Sequence, residues 1–394
     1  MTVELYTPGH GLYTDTLILY GLTLPLCEVL GQEEGEIQAE LIRAWSVGGF
    51  YRLEVRVADH GELADLIASY ATDMEDRMVE ELTRGPLGFF TEGDVGVFTQ
   101  ALTDTGGLAD YLRRLSAPGH AERAGEGREG RGRWKTVKLP LMPMAGKYLH
   151  RDLTEVSKYP QAQYKACGYC CALAALGLLE ASFPILGRGR EWNRVITILA
   201  FDGFTDARYF DLLAAYHIKD WEEFYHKLLN VGARRGATGA AAQLPLRVLM
   251  KLVVALFSPG LVRAMTVAQA RWRVLGANLA GRPKAPQVRG YQELEITALV
   301  HGLDTLYERG FIAFSELFPF VRALIEAGEV DALESFLDFV ASRSLGDLYL
   351  FARGAFSTLE RMRMGREPEK RKLWKEAVRR MRKCQEAANL LLTA

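Results

Sequence analysis

Apolar positions recur along this chain with two periods, and the change of period divides it. From Phe50 to Val57 they alternate: Tyr51, Leu53, Val55 and Val57 fall on one side, and Arg52, Glu54 and Arg56 on the other, which predicts a strand with one buried face. Val3–Thr7 predicts another short strand. A turn at Pro8-Gly9-His10-Gly11 then leads into an apolar helix over Leu12–Leu30, ended near Gly31. Glu62–Arg84 has helical spacing and stops at Gly85-Pro86.

Residues 119–133 (GHAERAGEGREGRGR) are too polar and Gly-rich to pack and predict a mobile basic loop, and Trp134–Leu141 predicts a strand. The period is helical thereafter, over Tyr164–Ser182, Tyr209–Tyr216, Trp221–Leu229 and Leu244–Phe257. Residues 281–290 (GRPKAPQVRG) predict a joint. Beyond it lie helical patterns at Tyr291–Arg309, Ala313–Glu326, Val330–Arg343, Gly346–Arg363 and Pro368–Leu392, with connections short enough for antiparallel neighbours. The fold class expected is α+β, a mixed α/β N-terminal region followed by a C-terminal α-helical bundle. Three regions are expected: 1–118, 119–290 (mostly helical, with the Gly/Arg loop) and 291–394.

Charge sharpens this division. The 394 residues carry a net charge of −1, but residues 1–118 hold 7 bases against 20 acids, and residues 293–360 hold 4 against 12. Between Glu223 and Glu293 there are 11 bases and no acid. A surface built only for solubility would mix the signs. A one-sign stretch rich in Arg beside Gly and Pro suits a phosphate backbone, which rewards neutralisation through counterion release. The competing reading is that these bases pair with the acidic blocks on either side. Arg188, Arg190, Arg234, Arg235 and Arg282, in Gly-rich loops, are expected at phosphates, with Arg271, Arg273, Lys284 and Arg289 from the acid-free segment. Trp272 and Trp134, each flanked by bases, suit stacking on single-stranded bases and equally suit a core.

The search for catalytic chemistry returns negatives. Ala145-Gly146-Lys147-Tyr148 lacks the upstream Gly and the Ser/Thr of a phosphate-binding loop. His150-Arg151-Asp152-Leu153 looks like a kinase catalytic loop, yet Ser157 stands where a metal-binding Asn belongs. Asp202, Asp206 and Asp211 could hold a divalent cation as a nuclease needs, although helix capping explains them more simply. Cys167-Gly-Tyr-Cys170-Cys171 has the spacing with which two thiolates share a zinc, but no second Cys pair exists and His150, His217 or His226 would have to complete the site. Buried thiols in an Ala-rich helix account for the triplet, and no metal, cofactor or catalytic residue is assigned. The opening lacks the basic and apolar regions of a signal peptide, and no uninterrupted apolar span follows, so a cytoplasmic chain outside the membrane is expected.

Three stretches carry a resemblance to a known family: Leu5–Gly9 (LYTPG) before an apolar helix containing Tyr20-Gly21-Leu22, Lys138–Tyr148 (KLPLMPMAGKY), and Tyr164–Leu178 (YKACGYCCALAALGL). With the basic middle and the helical end, the chain resembles the large subunit of archaeal type I-A CRISPR interference (Cascade) complexes. The resemblance implies a non-catalytic antiviral subunit whose partners are a crRNA-containing complex, other Cascade subunits, target DNA and a helicase-nuclease. Such a subunit contacts a duplex motif and the displaced strand while guide pairing reads sequence. It also implies Lys147 as a nucleic-acid contact. Some relatives carry two Cys pairs at zinc-finger spacing, whereas this chain has one. Two other readings stand beside this one: a metal-dependent nuclease using the aspartates or His150/Asp152, and a protein-only scaffold with a basic partner-binding surface.

Overall fold

The computed structural model describes residues 1–34, 38–125, 135–136, 140–143, 165–187, 193–217, 244–282, 285–311, 321, 324–325, 329–363 and 368–393. Strand β1 (Val3–Tyr6) leads into helix α1 (Leu12–Glu34), and β2 (Ile42–Val47) and β3 (Phe50–Val55) form a hairpin. Its turn requires positive φ at both Gly48 (+60°) and Gly49 (+101°), which glycine adopts without a Cβ clash. The alternation in β3 falls as expected, with Tyr51, Leu53 and Val55 buried. Helix α1 runs through Gly31, at the modest cost a glycine imposes near a helix end.

Helices α2 (His60–Asp73), α3 (Glu75–Thr83), α4 (Glu92–Thr103), α5 (Thr105–Arg114) and the single turn α6 (His120–Arg123) follow. The pattern over Glu62–Arg84 is thus two helices, broken at Met74. Glu75 and Asp76 are better placed in the first turn of a new helix, against its positive end, than inside a continuous one. Gly119–Arg123, expected as loop, is tied down: His120 and Ala121 are buried. A two-stranded ribbon joins β4 (Lys135–Thr136) to β5 (Lys165–Ala166), ahead of α7 (Gly168–Ala181).

The remaining strands are β6 (Ser182–Gly187), β7 (Asn193–Asp206), β8 (Ala270–Arg282) and β9 (Ala285–Glu295). They join the N-terminal strands in one antiparallel seven-stranded sheet of order β1-β3-β2-β7-β8-β9, with β6 also on β7. Long β7 is the hinge of this sheet. It pairs β6 along its first half and β2 at its end, while its other edge lies against β8. The expected joint at 281–290 is therefore part of a hairpin, whose ladder continues through Gly281↔Pro286 to Arg282↔Ala285. Pro286 is tolerated because β9 is an edge strand. Likewise Tyr291–Arg309 is not one helix: β9 runs to Glu295 before α11 (Thr297–Glu308) begins.

Helix α1 is apolar on all sides because it is enclosed, packing on the sheet, on α7 and on α8 (Ala207–Tyr216). Its approach to α7 is set by two glycines: a Cβ at Gly21 would lie 2.1 Å from the Leu173 carbonyl oxygen, and one at Gly177 would lie 1.9 Å from that of Leu17. Two of the sequence stretches singled out above are thus the two sides of one helix contact. Helices α9 (Leu246–Ala255) and α10 (Pro259–Val267) connect the sheet to the C-terminal bundle of α11, α12 (Val330–Ser342), α13 (Leu345–Arg363) and α14 (Pro368–Leu392). Among the described residues, no single helix is long and apolar enough to cross a membrane. Helix Trp221–Leu229 and most of Ala313–Glu326 lie outside the described residues.

Candidate nucleic-acid interface

The sheet presents one buried and one partly exposed face over strands β1, β3, β2 and β7. On the buried face Tyr51, Phe201, Tyr209 and Trp272 pack together, with ring centroids 4.6–6.5 Å apart. Trp272 is fully buried, and its indole N–H donates to the Met265 carbonyl at 2.7 Å. It is a core residue and not a stacking platform, because strand alternation sends it opposite to Arg271 and Arg273.

That same alternation assembles a row on the other face. Tyr6 pairs with Arg52, Arg52 with Trp45, and Trp45 with Phe204, so four strands contribute one side chain each. All four are half-buried. Trp45 and Phe204 rings lie 5.2 Å apart, the Arg52 guanidinium sits 5.1 Å from the Trp45 centroid, and Tyr6 meets Phe50 edge-on at 6.3 Å. Glu4 and Glu54, on the same face, flank Arg52 and pair with it at 2.9 and 2.7 Å. The guanidinium in turn holds the Glu4 carboxyl below its usual range. The next strand continues this face with Arg271, in register with Asp202, and Arg273, which lies 3.8 Å from Glu293. Aromatic faces beside cationic groups at sheet spacing can stack bases and neutralise phosphates.

The acid-free segment behaves differently where it is described. Arg247 and Lys251 on α9 contact Glu334 of α12 at 2.7 and 3.0 Å, and Lys251 reaches Asp338 at 2.6 Å. Arg263 on α10 pairs with Asp304 and Glu308 of α11 at 2.8 and 2.5 Å. For these bases the pairing with the acidic 293–360 block holds. Of the ten expected contact residues, Arg271, Arg273 and Arg289 have described side chains; Arg271 and Arg289 are exposed. Arg282 is placed on β8 by its backbone. Lys147, Arg188, Arg190, Arg234, Arg235 and Lys284 lie outside the described residues, as does Trp134.

Sequence reasoning missed Trp45, Phe204 and the role of Arg52. The signal was present: Ile42–Val47 (IRAWSV) alternates, and Gly48-Gly49 before the Phe50 strand marks a two-residue hairpin.

The candidate nuclease aspartates do not converge. Asp206 caps α8 and binds Arg208 at 2.6 Å, while Asp202 accepts from the Ser46 hydroxyl at 3.2 Å. His217 has its Nε2 at 2.6 Å from the Ser182 carbonyl, and burial lowers its pKa to about 4. His150, Asp152 and His226 lie outside the described residues.

Residues 98–377 match the model of a family described as CRISPR-associated protein (Cas_Csa4). A protein of Thermoproteus tenax described as "CRISPR system associated protein Cas8" is 29% identical over 194 residues, covering 45% of this chain and 50% of that protein. The match thus spans half the length of that relative.

Proposed function

Because the chain belongs to the Csa4 family of CRISPR-associated proteins, we propose that it is the non-catalytic large subunit of a crRNA-guided interference complex in the cytoplasm. In this reading it acts with the other Cascade subunits, contacts the target duplex motif, holds the displaced strand and offers a docking surface to a helicase-nuclease.

The observation that carries the nucleic-acid part is the row Tyr6–Arg52–Trp45–Phe204, continued by Arg271 and Arg273. A displaced strand has unpaired bases, and an aromatic platform binds any base because every base has a π-face. Neighbouring arginines supply the salt-dependent backbone contribution. Guide pairing carries sequence selection in such complexes, so a platform without base-edge readout fits the division of labour.

The test is binding of the full chain to labelled single-stranded and duplex DNA over a salt series. The comparison variant carries Arg271→Ala, Arg273→Ala, Arg282→Ala and Lys284→Ala. Loss of affinity together with a shallower salt dependence in the variant supports the reading, whereas identical binding by both proteins overturns the assignment of these residues.

A further inference from the structure

Among the described residues, one group of three metal-capable side chains converges: His120, Cys167 and Cys170, whose ligand atoms all lie within 4.8 Å of one another. We propose that these three hold a zinc ion that clamps α6 to the N-terminus of α7.

The geometry is close to that of a bound ion. Cys167 Sγ lies 3.8 Å from His120 Nε2 and 3.2 Å from Cys170 Sγ. A tetrahedral zinc with Zn–S near 2.3 Å and Zn–N near 2.0 Å sets two sulfurs about 3.8 Å apart and a sulfur and nitrogen about 3.6 Å apart. The imidazole is therefore already close to its distance from Cys167, and the sulfurs need to part by about half an ångström. Two thiolates and a neutral imidazole also balance the charge of a divalent ion.

Each ligand is positioned by groups around it, which is how metal sites are ordinarily built. Cys167 is the N-cap of α7 and accepts from the Cys170 N–H at 3.3 Å, so both sulfurs sit at the end of a helix that favours negative charge. The Tyr111 hydroxyl lies 3.1 Å from Cys170 Sγ. The Tyr111 ring meets the His120 ring edge-on at 5.3 Å and stacks on Tyr169 at 5.2 Å. Tyr169 in turn donates to Asp104 at 3.2 Å. His120 is delivered by Gly119, whose φ of +78° turns the chain, and α6 is anchored by the Ala121 N–H on the Pro8 carbonyl. His120 and Cys170 are buried while Cys167 is half-buried.

The ligands lie 47 positions apart in sequence. The ion would tie α6 to α7 across that separation, closing a long loop in sequence. Cys171, although adjacent, is outside the group. This inference rests on the local geometry and is independent of the function proposed above.

The test uses the full chain without a histidine tag, reduced, stripped with EDTA and reloaded with zinc or cobalt. One equivalent of zinc per chain is expected, with cobalt giving the thiolate charge-transfer and intense visible bands of a tetrahedral site. Zinc should protect two thiols from a disulfide reagent, and EDTA should restore them, a readout that needs no variant. Cys171→Ala should keep the ion, while His120→Ala and Cys167→Ser weaken it about tenfold or more. Absence of stoichiometric metal, thiol reactivity indifferent to zinc, or undiminished zinc binding in His120→Ala would overturn the site.

Discussion

Positive charge is used in two ways in this molecule. On α9 and α10, Lys251, Arg247 and Arg263 face carboxylates of α12 and α11, and three of those acids, Glu334, Asp304 and Asp338, are themselves wholly or partly withdrawn from water. On the solvent side of the sheet, Arg52 lies beside the Trp45 ring, and Arg271 stands exposed at the border of the same face. A base held between buried acids is committed to the fold, because removing either partner strands the other charge. Arg52 has carboxylate partners as well, Glu4 and Glu54, but these are more exposed than Glu334 and Asp304, and the half-exposed Trp45 ring beside it and the exposed Arg271 remain accessible to a ligand. Charge counted along the chain does not distinguish the two; the neighbours do.

Several substitutions would break or sharpen this contrast. The largest effect is expected at Trp272, which the charge pattern places beside two arginines but the fold places in the core. Trp272→Ala should lower stability by about 3–5 kcal/mol in denaturant unfolding, as for other buried aromatics. Near-normal stability would mean that the ring is not core. Next comes Glu334→Ala, expected to cost about 3 kcal/mol because Lys251 loses a buried partner. Combining it with Lys251→Met should recover part of that loss, and a double variant no better than the single would show that the pair is not coupled.

A third substitution tests burial without pairing to the sheet face. Glu180 is enclosed in α7 with Arg77 at 3.4 Å, and burial raises its carboxyl to about 7. A carboxyl raised in the folded state contributes most below its unfolded pKa of about 4.5, and that contribution is lost as pH rises through 7. Glu180→Gln should therefore flatten the stability profile between pH 4.5 and 7 and stabilise the protein at pH 8 by on the order of 1–3 kcal/mol. An unchanged profile would contradict the assignment. The smallest effect is on binding: Trp45→Ala should weaken single-strand affinity about tenfold, as expected for one lost stacking contact, with little change in melting temperature. Titration by fluorescence anisotropy would show it, and equal affinities would remove Trp45 from the platform.

Much of the architecture was legible before the structure. The alternation in β3, the enclosed α1, α7 and the bundle helices α12, α13 and α14 follow from apolar period alone. What was not legible required partners. β8 and β9 read poorly as strands because Ala, Gly and Asn interrupt their pattern, and only pairing with β7 makes the hairpin. For the same reason Gly281–Gly290 looks like a joint. Arg52 was placed on the polar side of its strand, but its meaning depends on Trp45 and Phe204, which reach it through register across three strands. His120 was hidden by its Gly-rich surroundings, since no local pattern links it to cysteines so distant in the chain.

The most direct test of the central claim is a photo-crosslink between the full chain and a labelled single strand, with the attached peptides identified by mass spectrometry. Crosslinks at Trp45, Phe204 or Tyr6, accompanied by contacts near Arg271, are the predicted result. Crosslinks confined to α9 and α10, with none on β1, β2 or β7, would contradict it and return the interface to the bases that the structure shows paired with acids.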